Sequence, residues 1–183
     1  FVPGTQEISR EALPPYPWDY LIGSVHYVGG AHIYHQSRWH SGQPAEEQYA
    51  EYFRLIRESA RSGLFDVLGH ISGIMIYGPT PSPELLRREF AATAAAIAEA
   101  GTAIEINASG IRKGGPEPFP HRDLLRACIE AGVPVTYGSD CHQPEELGHA
   151  RDTAAALLQG ARCWRPQPEG AAFKRPALAG SAR

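Results

Sequence analysis

The 183-residue chain has no two cysteines close together: its three, Cys128, Cys141 and Cys163, are scattered and odd in number. That pattern excludes a disulfide framework and a zinc site built from cysteine pairs. No apolar run is long enough to span a bilayer, and nothing after Phe1 has the pattern of a signal peptide. Neither charge sign dominates: 17 Lys and Arg stand against 20 Asp and Glu, a formal net charge of -3. This balance gives no reason to expect a nucleic-acid or membrane partner. Together these absences predict a cytoplasmic protein. What remains, 43% hydrophobic and 20% charged residues, is the composition of one globular domain long enough to bury a core.

The chain reads as a series of strand, loop and helix. Short apolar runs at "DYLIGSVH" (19–26), "FDVLGH" (65–70), "TAIEIN" (102–107) and "VPVTYGSD" (133–140) predict strands. Between them lie helical patterns. Pro44 suits a first turn, Tyr49, Tyr52, Phe53 and Ile56 form an apolar stripe, and Gly63 is a stop. Ser82 and Pro83 suit a helix start, with Leu86, Phe90, Ala94 and Ile97 as its stripe and Gly101 as its end. A shorter helix carries Leu124, Leu125, Cys128 and Ile129, and a last one is expected from about Pro144. Beyond residue 160 the periodicity fails and prolines recur, so 1–160 is read as the domain and 161–183 as a loose or disordered tail.

Strands alternating with helices imply a parallel sheet. In α/β folds the C-terminal strand ends carry the active site. Polar residues gather at those ends: His26, His70, Glu105 with Asn107, and Asp140 with His142. One histidine there is usually structural, but three with an aspartate favour a metal centre. In extended backbone Asp140 and His142 would share a face, with Cys141 opposite. Imidazole and carboxylate without thiolate suit zinc, manganese or iron, ions that activate water and neutralise phosphoryl oxygens. The loop after the third strand adds Arg112, a candidate phosphate clamp through its planar fork, with Lys113 weaker. Glu105 could be a buried partner for this basic rim. His32, His35 and His40, in the loop after the first strand, read as solvated residues that could meet substrate. No residue is assigned as a catalytic acid, base or nucleophile.

"DYLIGSVHYVGG", "FDVLGH", "IEINASGIRKG" and "YGSDCH", in this order, resemble the PHP (polymerase and histidinol phosphatase) superfamily, in its histidinol-phosphatase branch. The resemblance runs from Phe1 to about Gly148. It implies an α/β fold, a distorted seven-stranded β/α barrel holding up to three divalent metal ions. The implied activity is hydrolysis of histidinol phosphate, a small phosphorylated substrate, in histidine biosynthesis. It also implies that His26, His70, Asp140 and His142 are metal ligands and that Arg112 meets phosphate. Several features depart from the family pattern. An opening HxH is absent, "FVPG" resembles the stretch that follows a bridging glutamate, and Ser72 stands where an aspartate is common. The expectation is therefore a partial barrel lacking its N-terminal strands and poorly active alone. Two rival readings are another phosphoesterase of the superfamily and a non-catalytic, degenerate metal-binding domain.

Overall fold

The apolar runs form a four-stranded parallel sheet in the computed structural model, which describes residues 1–13, 18–40 and 42–166 but not the side chains of Arg38 and His40. The sheet strands are β1 (Ile22–Gly23), β4 (Val67–Leu68), β5 (Ala103–Asn107) and β6 (Val135–Gly138), adjacent in that order. Between β1 and β4 lie a hairpin, β2 (Tyr27–Val28) with β3 (Ala31–His32), and the helix α2 (Ala45–Arg61). Helix α3 (Pro83–Ala100) links β4 to β5. The turn of helix α4 (Ser109–Arg112) and then α5 (Arg122–Glu130) link β5 to β6. α1 (Gln6–Ala12) precedes the sheet and α6 (Arg151–Leu157) follows it. All five residues of β5 are buried, as expected of a strand covered on both faces.

The helices form where their stripes meet the sheet. Tyr49, Tyr52, Phe53 and Ile56 of α2 are fully buried, and Phe53 and Phe90 meet edge to face with ring centroids 5.4 Å apart. Gly101 ends α3 in the left-handed conformation, with φ 70°. Ser82 caps the same helix: its Oγ accepts a hydrogen bond from Leu85 N at 3.2 Å, while its own backbone N–H donates to Glu46 at 2.7 Å. Ser82→Ala should therefore lower the unfolding free energy by about 0.5–2 kcal/mol in a urea melt. No loss would mean that the Glu46 contact alone holds the helix start.

Three elements differ from the sequence reading. The strands are shorter than the apolar runs, with only two residues of the first in the sheet. The helix expected from Pro144 is a short 3-10 turn over Pro144–Glu146, and α6 begins at Arg151. Leu147 is extended, and Gly148 (φ 78°) and Ala150 (φ 54°) are left-handed, which a right-handed helix cannot absorb. The loop after the first strand contains the β2–β3 hairpin, whose two turn residues Gly29 (φ 57°) and Gly30 (φ 78°) both lie at positive φ. That is the geometry of a type I′ turn, for which Gly-Gly is a favoured pair. Of the expected tail, residues from 167 on lie outside the described residues. Before them, Cys163 bridges Val135 in parallel, with Val135 N to Arg162 O and Trp164 N to Val135 O both 2.8 Å.

Candidate metal and phosphate site

Parallel strands bring their C-terminal ends to one edge of the sheet. Beyond β1, Val25 is buried in the core while His26 is turned to the cavity side. Beyond β4 comes His70, 5% exposed and held at φ 33°. Its backbone is fixed twice. The N–H donates to Glu105 Oε1 at 3.1 Å, and the carbonyl accepts from the Tyr52 hydroxyl at 3.2 Å. In β5 Glu105 and Asn107 share a face, as the pleat predicts, and Asn107 Nδ2 donates to Glu105 Oε1 at 2.5 Å. Glu105 therefore serves the backbone of His70 and the Asn107 amide rather than a basic side chain. Burial raises its pKa above the usual carboxylate value.

Beyond β6 the chain turns at Asp140, with φ 51°. His70, Asp140 and Ala150 are the non-glycine residues at positive φ among those described, and the first two sit at this edge. Such strain clusters at functional sites. The extended-backbone argument for Asp140 and His142 therefore does not hold, because Asp140 is left-handed. Both nonetheless line one cavity of about 550 Å³, together with His26, His70, Glu105 and Lys113. Cys141 is exposed and outside it.

The imidazoles of His26 and His70 face each other, Nε2 to Nε2, at 3.1 Å. Burial pushes the pKa of both rings below the ordinary imidazole value, and each lowers it further through repulsion from a neighbouring ring, His32 for His26 and His26 for His70. Neutral imidazole is the form that ligates metal. The spacing also fits: two nitrogens bound at 2.0–2.1 Å to a tetrahedral ion stand roughly 3.3 Å apart. His70 Nδ1 is buried and unpartnered. A ligating histidine usually donates from that second nitrogen to a carbonyl, carboxylate or water. His142 is less converged. Its Nδ1 lies 2.9 Å from the carbonyl of Asp140, and its backbone N–H donates to Glu146 Oε2 at 2.8 Å. Accordingly, no group of three His, Cys, Asp or Glu among the described residues stands close enough to hold an ion as it is.

Arg112 is placed differently from the phosphate-clamp reading. It does not line the cavity. Its guanidinium donates to the carbonyls of Ser139 (3.0 Å) and Asp140 (2.5 Å), and its Nε lies 3.2 Å from Glu146 Oε1. The lysine or arginine that does line the cavity is Lys113, whose Nζ sits 4.8 Å above the ring of Tyr34.

Two further liners come from the loop after the first strand: His32, which the sequence reads as solvated, and Tyr34, which it does not single out. His32 stacks on His26, centroids 5.8 Å apart and 4° from parallel, because the hairpin pairs Tyr27 with His32. Tyr34 packs between His32 and His70, and its hydroxyl is buried without a partner. The Gly-Gly turn was the available signal for this fold-back. His35 is exposed, His121 caps α5, and His149 lends its carbonyl to the Tyr137 hydroxyl. The side chain of His40 lies outside the described residues.

Fold and site define an α/β protein with a histidine and carboxylate cluster at the C-terminal end of a parallel sheet. The PHP domain profile matches residues 5–109, more than half of the chain. The chain belongs to the PHP domain family. It is 37% identical over 161 residues to a protein named probable histidinol-phosphatase from Deinococcus radiodurans, covering 81% of this chain and 56% of that protein. A solved structure of a histidinol phosphate phosphatase from Lactococcus lactis, complexed with zinc, L-histidinol and phosphate, superposes with a TM-score of 0.65 at 19% identity. That match covers 86% of this chain and 63% of the other. A Listeria monocytogenes structure assigned to the histidinol phosphatases gives 0.72 at 21% identity, covering 84% and 65%. The α/β fold is thus shared with these proteins and consistent with a partial β/α barrel. The chain spans about half the length of the curated relatives it matches.

Proposed function

We propose that this chain is part of a metal-dependent phosphomonoester hydrolase acting on histidinol phosphate, a step of histidine biosynthesis in the cytoplasm. The observation that carries the reading is the facing pair of imidazoles, His26 and His70, sharing a cavity with Asp140 and His142. The names of the relatives support the substrate. The scattered, unpaired cysteines support the compartment, and among the described residues no helix is long and apolar enough to cross a membrane.

In this reading His26, His70, Asp140 and His142 hold divalent metal, with zinc, manganese or iron suited to the donor set. Such an ion lowers the pKa of bound water and offsets charge on phosphoryl oxygens. The protein's own groups do the rest. Burial favours the unprotonated form of both imidazoles, Glu105 and Tyr52 fix the His70 backbone, and Lys113 presents a cation to the phosphoryl group. A hydrogen bond to a charged group is worth about 1.5–3 kcal/mol, roughly tenfold or more in affinity. Lys113→Met should raise the inhibition constant for inorganic phosphate by that factor while bound metal is retained. An unchanged constant would remove Lys113 from the phosphate site.

The test of function is phosphate release from histidinol phosphate, compared with a generic phosphomonoester and a phosphodiester, with added Zn²⁺ or Mn²⁺. It is run on this chain and on a chimera carrying the N-terminal part of the Deinococcus relative. The 183 residues alone should turn over weakly, because their ligand shell is partial, and the chimera should prefer histidinol phosphate. Preference for the diester would favour another phosphoesterase activity. Absence of metal-dependent hydrolysis in the chimera would favour a non-catalytic domain.

A further inference from the structure

Arg112 has a structural task that the phosphate reading does not use. Its root is rigid. Asn107 Oδ1 accepts from Ser109 N (2.9 Å) and Ser109 Oγ (2.6 Å), and Ala108 N donates to Gly138 O (2.9 Å), so α4 is tied to the ends of both β5 and β6. From this base the guanidinium grips the 139–146 loop on both sides of the candidate ligands. It takes the carbonyls of Ser139 and Asp140 before the turn and the carboxylate of Glu146 after it. The other oxygen of Glu146 accepts the backbone N–H of His142. The pair is partly shielded, its two side chains 20% and 23% exposed, and two of the arginine's contacts are charge-assisted bonds to backbone.

We propose that Arg112 and Glu146 form a latch that holds Asp140 in its left-handed turn and keeps Asp140 and His142 at the cavity. Arg112 is then a positioning residue for the metal-binding loop. This rests on the proposed ligand role of Asp140 and His142. A carbonyl held by a guanidinium opposes relaxation of Asp140 toward ordinary extended backbone, and Glu146 ties His142 to the same cation. Outer groups that orient ligands in this way typically contribute roughly 10–100-fold to metal affinity.

The test joins amide hydrogen exchange with Co²⁺ titration of the full chain, comparing wild type with Arg112→Met, Arg112→Lys and Glu146→Gln. Arg112→Met should speed exchange across 139–146 by about tenfold or more, the loss expected when charge-assisted bonds are removed. Exchange in α2 and β5 should not change. Co²⁺ affinity should fall by roughly 10–100-fold. Arg112→Lys should recover part of both effects. Glu146→Gln, which keeps an acceptor for the His142 amide, should fall between Arg112→Met and wild type. Unchanged exchange at 139–146 overturns the latch, and so does faster exchange with unaltered Co²⁺ affinity. If Arg112→Met also loosens α2, the other two variants decide by the same readings. If wild type takes up no Co²⁺, the metal reading fails, and exchange at 139–146 alone decides whether the latch exists.

Discussion

Asp140→Asn is expected to weaken metal binding by more than about 100-fold and to remove most turnover in the chimeric, full-length form, while leaving the fold intact. Outer-shell substitutions already cost roughly 10–100-fold, and removal of a ligand charge should exceed them. The substitution isolates that charge. Asparagine tolerates the left-handed conformation that Asp140 adopts at φ 51° better than other residues do. The grip of Arg112 on this residue is through the backbone carbonyl, which the change leaves in place. Stability should therefore move by no more than about 0.5 kcal/mol. Isothermal titration with Zn²⁺ beside a thermal melt separates the two effects. Unchanged affinity would exclude Asp140 as a ligand, and a large drop in melting temperature would make its role structural.

Gly138→Ala should be strongly damaging, although it adds only one methyl group at the site. Gly138 is not at positive φ, so the backbone itself accepts alanine. The obstacle is space: a Cβ there would lie inside the contact distance of Glu105 Oε2. Neither strand can shift easily, because Asn107 pairs with Gly138 and Glu105 with Thr136 in the parallel ladder. The carboxylate must move, and its Oε1 holds both His70 N and Asn107 Nδ2. Overpacking of this kind costs about 1–3 kcal/mol. An orphaned buried N–H at His70 adds a penalty of similar size. The melting temperature should fall by roughly 2–4 °C for each kcal/mol lost. Metal affinity should fall with it, because Glu105 fixes the backbone of His70. Glu105→Asp shortens the carboxylate and vacates the space, so the double variant should be less destabilised than the two single effects added together. A neutral Gly138→Ala would mean that Glu105 is not fixed where it lies.

The strand-end residues were legible in sequence because a parallel alternation leaves little choice. Once "VLGH" and "AIEIN" are buried on both faces, whatever follows them meets at one edge. His26, His70, Asp140 and His142 follow from that rule, and they do line one cavity. Their detailed geometry was not legible. Alternation along a strand cannot foresee a left-handed Asp140, and so could not foresee His142 turned onto its own loop. The fate of Arg112 depends on the short helix α4, whose four residues lie in a Gly- and Pro-rich stretch that reads as loop. One residue later, Lys113 takes the place on the cavity. His32, which the sequence reads as solvated, and Tyr34 join the site because two glycines close a hairpin that folds their loop back onto it.

The most direct measurement is anomalous diffraction at the zinc edge from crystals of the zinc-loaded chain. A peak is expected about 2.0–2.2 Å from Nε2 of both His26 and His70, with the Asp140 carboxylate beside it. A peak that excludes both imidazoles, or zinc bound elsewhere on the chain, would contradict these ligand roles.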